Sequence, residues 1–188
     1  MFESAFIDKF SRTHWSVVPI LFVPAVAILL WLGLRAGVQL WTTVGLFAGG
    51  WLWWTFVEYW LHRTLFHWIP NGRWGARMHF ILHGVHHDWP RDRYRLVMPP
   101  VVSIGLFWFF LGCYVPLLGE HAWGFHAGMV TGYMTYDIIH YMTHHVSPST
   151  PWMKAIRRHH LAHHSPKLQH DAKFGVSSTL WDHIFRTL

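Results

Sequence analysis

Four stretches of this chain are apolar for as long as a bilayer is thick, and that leaves few folds open. Residues 17–34 (VVPILFVPAVAILLWLGL), 38–57 (VQLWTTVGLFAGGWLWWTFV), 101–118 (VVSIGLFWFFLGCYVPLL) and 122–141 (AWGFHAGMVTGYMTYDIIHY) are each close to the roughly 20 helical residues that span a membrane. A soluble bundle of four such helices would need charged outer faces. Charged residues make up only 13% of the chain, against about 25% in soluble proteins. The first two stretches are separated only by Arg35, Ala36 and Gly37, and the last two by the "GEH" turn at 119–121. The expected fold is therefore all-α: a multi-pass membrane protein with four transmembrane helices in two hairpins, each hairpin followed by a polar stretch (58–100 and 142–188). Residues 1–188 read as one domain.

The 15 basic residues set the orientation. Lys9 and Arg12 precede the first span. Six arginines (63, 73, 77, 91, 93 and 95) lie between spans two and three. Lys154, Arg157, Arg158, Lys167, Lys173 and Arg186 follow the fourth. Only Arg35 lies on the other side. The positive-inside rule makes the basic side cytoplasmic, with both termini there. The net charge of +6 is thus a topology signal, and nucleic acid is not an expected partner. No cleavable signal peptide is expected in MFESAFIDKFSRTHW, which reads as a short interfacial helix with Phe2, Phe6 and Phe10 on one side. The lone cysteine, Cys113, excludes an internal disulfide and a cysteine metal site.

The polar stretches hold most of the 18 histidines. HFILHGVHHDWP places His79, His83, His86 and His87 on one helix face. EYWLHRTLFH supplies His62 and His67, YDIIHYMTHH supplies His140 and His144, and RHHLAHH supplies His160, His163 and His164. The last repeats the H-x2-HH spacing of 83, 86 and 87. Every group lies just past the cytoplasmic end of a span. Clustered imidazoles need something that accepts several at once, and a metal ion does that. Imidazole suits iron, zinc and copper, whereas calcium and magnesium prefer oxygen. Ten histidines suffice for two ions with four or five ligands each. An i, i+5 pair in an α-helix splays by about 140°, so His62 and His67 are expected to serve different ions. The Glu-x-x-His pairs of carboxylate di-iron bundles do not occur.

Among the few acids, Glu58, Asp137 and Asp182 stand near ligand candidates and are expected to accept the outward ring N–H of a ligand histidine. His79, one turn before His83, is a candidate for the same supporting layer. His14, His121, His126, His145, His159 and His170 are not expected to be ligands.

HRTLFH, HGVHH, DRYRLVMPP, YDIIHYMTHH, HLAHH and GVSSTLWDHIF, taken together and in this order from about residue 55 onward, resemble the fatty acid 2-hydroxylases of the fatty acid hydroxylase superfamily. Histidine boxes mark the wider superfamily of desaturases, hydroxylases and sterol oxidases. The RYRLVMPP stretch and the YDxxHYxxHH pattern mark this branch. The resemblance implies a cytosolic helical cap holding a histidine-rich dinuclear metal site, with His62, His67, His83, His86, His87, His140, His144, His160, His163 and His164 as ligands. It implies two iron ions, with zinc able to replace them in purified material, and O2 as co-substrate. The implied activity is hydroxylation at carbon 2 of a fatty acyl chain, free or in a sphingolipid. Fungal and animal members carry a cytochrome b5 domain before the first span. Only about 16 residues stand there in this sequence, which implies a separate donor of the cytochrome b5 or ferredoxin type and leans towards a bacterial inner membrane over the endoplasmic reticulum. A sterol or carotenoid oxidase would share the boxes but not RYRLVMPP. A metal transporter would place its ligands along a path at mid-membrane.

Overall fold

The structure, a computed structural model, describes residues 5–165 and 171–188, and of Ala5, Ile7 and Phe10 the backbone only. Phe2, Lys167 and His170, and the side chain of Phe10, therefore lie outside the described residues. Among those described the fold is all-helical, without a strand.

Four long helices stand where the apolar stretches are: α2 (Val17–Arg35), α3 (Leu40–Trp60), α6 (Pro100–Leu118) and α7 (His121–His145), with the short α1 (Ala5–Phe10) before them, α4 (Arg73–His79) and α5 (Val85–Asp88) between α3 and α6, and α8 (Pro151–His163) and α9 (Leu180–Phe185) after them. By length and composition, α2 and α6 are apolar enough to cross a membrane. The other two of the four expected spans are long enough but more polar. The reason in α7 is its position: it packs against α2, α3 and α6, so small and polar side chains replace large apolar ones. Along one side of α7, Gly124, Gly128 and Gly132 recur every fourth residue and meet α3. A Cβ on Gly128 would stand 1.9 Å from the Phe47 carbonyl oxygen, and one on Gly50 of α3 would stand 1.9 Å from that of Phe125. Small residues at such spacing let two helix backbones touch.

Around this contact lies the aromatic core. Phe22 of α2 and Trp54 of α3 both meet Tyr133 of α7 edge-on, at centroid distances of 5.4 and 5.3 Å, a geometry worth about 0.5–1.5 kcal/mol per pair beyond burial. The Trp53 indole N–H donates to the Tyr114 hydroxyl at 2.8 Å, tying α3 to α6. Large apolar side chains on the other faces of α2, α3 and α6, such as Ile20, Trp41 and Val101, are exposed.

α1 folds back over the end of the bundle. Arg95 bridges Asp8 of α1 at 2.6 Å and Asp92, its Nε donates to Ser11 Oγ at 3.2 Å, and the Thr13 amide donates to the Tyr94 carbonyl at 2.7 Å. Phe6 is exposed, as an interfacial helix would have it. α8 starts at an N-cap, with Thr150 Oγ1 accepting from the Met153 amide at 3.3 Å and Pro151 at its first turn. Arg157 of α8 donates through Nε to the Thr143 carbonyl at 2.8 Å, fixing α8 to the end of α7.

Candidate metal centre

The last turn of α3 widens into a π-helical turn, Leu61–Phe66, which holds His62 and is closed by His67. A π turn bonds residue i to i+5, so residues five apart come over one another instead of splaying. The two ring centroids are accordingly 4.9 Å apart. The expected division of this pair between two ions is thereby corrected. A second π turn, Phe80–Gly84, holds His83 and leads into α5 with His86 and His87. It also breaks the register that would have stacked His79 on His83. His140 and His144 end α7, while His160 and His163 lie on the buried side of α8, with His164 at its C-cap.

These ten histidines gather into two groups of five. One holds His62, His67, His83, His87 and His163, the other His86, His140, His144, His160 and His164; within each, one ring nitrogen per residue lies within 4.8 Å of all the others. Each H-x2-HH box is shared. His83 and His87 enter the first group and His86 the second, while His160 and His164 enter the second and His163 the first. Residues i and i+4 share a helix face, and i+3 turns aside far enough to reach the neighbouring group. The groups touch where His87 stacks on His164, with centroids 4.3 Å apart. Neither group includes His14, His79, His121, His126, His145 or His159.

The nitrogens that converge are all Nε2. His62 faces His83 at 3.1 Å, His87 faces His83 at 2.9 Å and His67 faces His163 at 3.0 Å. In the other group His140 faces His86 at 2.9 Å, while His144 and His164 face His160 at 2.8 and 3.1 Å. Nitrogens each about 2.0–2.1 Å from one ion stand about 3 Å apart, so these spacings fit a shared cation. The protonation pattern fits as well. His62 Nδ1 donates to the Phe174 carbonyl at 2.5 Å and His163 Nδ1 to the Ala172 carbonyl at 2.7 Å. A carbonyl only accepts, so both Nε2 atoms present lone pairs inward. Burial, and then the neighbouring imidazoles, push His62, His83, His86 and His160 well below the ordinary 6.5, which keeps them neutral and able to ligate. Both groups are thus able to bind a metal ion.

The acids are placed differently from expectation. Glu58 makes no hydrogen bond to His62, whose ring nitrogens face Phe174 and His83; it accepts the Val176 and Ser177 amides at 2.7 and 2.8 Å, and the Ser177 hydroxyl. Asp182 accepts the Phe174 and Gly175 amides at 2.9 and 2.8 Å, the Thr187 hydroxyl at 2.7 Å and His159 Nε2 at 3.0 Å, and no histidine of either group. Asp137 accepts the Met98 amide at 3.4 Å and not His140. The physical reason is supply: these loops carry buried backbone amides with no helix or strand to pair them, and a carboxylate satisfies two at a time. Burial would raise the Asp182 carboxyl, but the bonds from His159, Thr187 and the Gly175 amide hold it below the usual carboxylate value. Missed from the sequence were the carbonyls of Ala172 and Phe174 and the role of His159. One signal was present in GVSS: a Cβ on Gly175 would stand 2.0 Å from the Ser178 carbonyl and 2.7 Å from Asp182, so the turn closes only on glycine.

Beside the two groups lies a largely apolar cavity of about 490 Å³. Its walls include Phe66, Leu96 and Val102, and it reaches His83 of the first group and His86 and His140 of the second. Ser11 and Arg95 stand in its lining as well, so the α1 clamp forms part of its wall.

In three dimensions the chain is similar to a solved structure described as full-length scs7p with only the hydroxylase domain visible; the TM-score is 0.90 at 37% identity, over 97% of this chain and 69% of that one. In sequence the chain is 38% identical over 192 residues to the dihydroceramide fatty acyl 2-hydroxylase FAH2 of Arabidopsis thaliana, covering all of this chain and 78% of that protein. It is 39% identical to the ceramide very long chain fatty acid hydroxylase SCS7 of Saccharomyces cerevisiae and 38% identical to the fatty acid 2-hydroxylase of Mus musculus. It spans 47% and 56% of the lengths of those two. The fatty acid hydroxylase model matches residues 47–187, a range that contains all ten converging histidines. On that match, and on relatives aligned along its whole length, the chain belongs to the fatty acid hydroxylase family.

Proposed function

We propose that this chain is an O2-dependent hydroxylase that places a hydroxyl group on carbon 2 of a fatty acyl chain, free or carried in a sphingolipid or another lipid. The observation that carries this reading is the apolar cavity that ends on imidazoles of both histidine groups. An acyl chain lying in it is desolvated along its length and presents its C–H bonds to the two groups at once. The names borne by the relatives in plants and mammals support carbon 2 as the position.

The ten histidines are the proposed ligands of two iron ions, five to each. Bound there, iron supplies the reductive activation of O2 that hydroxylation of a C–H bond requires. The chain's own residues do the rest. Buried imidazoles stay neutral, the carbonyls of Ala172 and Phe174 keep two lone pairs aimed inward, and the walls from Leu96 to Val102 keep water from the acyl chain. Zinc outranks iron(II) for imidazole sites, so zinc in a purified sample would not identify the working metal.

In this reading α2, α3, α6 and α7 all cross the bilayer as one domain, with the histidine groups at its cytoplasmic face. The exposed apolar sides of α2, α3 and α6 and the basic residues at the histidine end support it. Electrons come from a separate carrier of the cytochrome b5 or ferredoxin type. A groove on α8 lined by Lys154, Arg157 and Arg158 offers an acidic carrier a complementary surface.

The test is mass spectrometry of hydrolysed lipids from cells that express the chain with a competent donor. The expected result is 2-hydroxy fatty acid with the wild type in oxygen, and none with His83→Ala, with His163→Ala or without oxygen. No 2-hydroxy acid from the wild type beside an active control hydroxylase would overturn the reading.

A further inference from the structure

We propose that the two histidine groups are unequal metal sites, and that Asp182 and Glu58 are positioning residues that make the His62 group the tighter of the two. The inference rests on the reading of both groups as ion sites.

Residues 172–177 run across the back of the first group as a strap. From it come the two carbonyls that orient His62 and His163. The strap is itself fixed from two sides. Asp182 holds the amides of Phe174 and Gly175 from α9, and Glu58 holds those of Val176 and Ser177 from the end of α3. Both carboxylates are buried, at 0% and 3% exposure, so these bonds face no competition from solvent. The Lys173 amide adds a bond to the Thr187 carbonyl at 2.6 Å. Two imidazoles of the first group are therefore held in orientation and tautomer before any ion arrives.

Among the described residues the second group has no counterpart to this strap. His86, His140 and His160 are buried, and their Nδ1 atoms have no hydrogen-bond partner among the described residues. No described group bonds these Nδ1 atoms to fix the tilt of the rings or to choose which nitrogen carries the proton. Binding there must order the rings and select the tautomer, and that cost lowers affinity. Partners that orient a ligand from behind are typically worth about 10–100-fold in metal affinity. The prediction is thus sequential loading, with the His62 group filled first and the His86 group the first to empty.

The experiment uses the full chain in detergent micelles, stripped of metal under argon and titrated with Co2+ alone. Its absorption bands report occupancy of each site, and metal content is read in parallel by mass spectrometry. Wild type is expected to take up two ions in steps separated by at least about 10-fold, and a limiting chelator is expected to leave one ion per chain. His67→Ala should abolish the tight step and His144→Ala the weak one. Asp182→Asn and, independently, Glu58→Gln should weaken the tight step about 10-fold or more and leave the weak step unmoved. Faster amide exchange confined to residues 172–177 should accompany either change.

Two equal steps would overturn the inequality, and so would loss of the tight step in His144→Ala. Equal weakening of both steps in Asp182→Asn would overturn the positioning role. The histidine variants test the inequality even if a carboxylate variant fails to fold. Absence of any Co2+ uptake would instead remove the metal-centre reading on which the inference stands.

Discussion

Replacing Gly128 by alanine adds one methyl group to the tightest helix contact in the protein. That methyl would stand 1.9 Å from the Phe47 carbonyl oxygen, 2.6 Å from its carbon and 2.8 Å from its Cα. All three are backbone atoms, so no side chain can swing away. An ordinary carbon–oxygen contact is about 3.3–3.6 Å, so α3 and α7 must part by about 1.5 Å at this point. Overpacking of this kind costs about 1–3 kcal/mol, offset by at most about 1 kcal/mol from alanine's better helix propensity. The rest of the loss comes from contacts along the seam, where Trp54 and Tyr133 separate together. We expect a net loss of about 2–3 kcal/mol. Gly49→Ala is the control: it lies in α3, the facing helix of the same seam, and its Cβ would meet nothing within 4 Å. It should be neutral or stabilising by a few tenths of a kcal/mol, up to about 1. Thermal unfolding in one detergent, followed by circular dichroism, compares the two. Because α3 leads to His62 and α7 to His140, Gly128→Ala should also lower the metal bound per folded chain. Equal melting temperatures for the two variants would refute the packing argument.

Two further outcomes follow from the charged groups. The unfolded chain protonates His62, His83, His86 and His160 near 6.5, whereas the folded, metal-free protein keeps them neutral well below that value. The unfolded state therefore binds more protons as pH falls, so stability is flat above about pH 7.5 and drops below 6.5. Each such histidine costs about 1.4 kcal/mol per pH unit; a melting temperature unchanged from pH 8 to 5.5 would contradict this. Arg95→Met leaves the Asp8 and Asp92 carboxylates without their shared cation and should loosen α1 by about 1–3 kcal/mol. Hydrogen exchange should then quicken across residues 5–13 and not at the histidine groups. Unchanged protection of that segment would show that the clamp contributes nothing.

The helical architecture and the identity of the converging residues were legible in the sequence because both rest on local pattern. Apolar length announces a long helix, and histidines at i, i+3 and i+4 announce a shared face. What misled was the assumption of α-helical geometry throughout. His62 and His67 meet only because the backbone between them widens, and LHRTLF carries no mark of that. The same assumption put His79 on the face of His83. The acids were misassigned for another reason. Glu58 and Asp182 are close in sequence to His62 and His183, but their partners are loop amides, and backbone groups have no letters to read. The polarity of α7 is the converse case: as a hydropathy value it weakened the helix as a membrane span, yet Gly124, Gly128 and Gly132 make it the seam against α3.

The strap also has a consequence for how the protein is made. His62 leaves the ribosome more than a hundred residues before Phe174, the carbonyl that orients it. Its group gains His67, His83 and His87 next, and His163 only eleven residues before Phe174. Residues 172–187 are thus the last part of the first group's surroundings to be made, so the orientation of His62 and His163 is fixed only when synthesis is nearly complete.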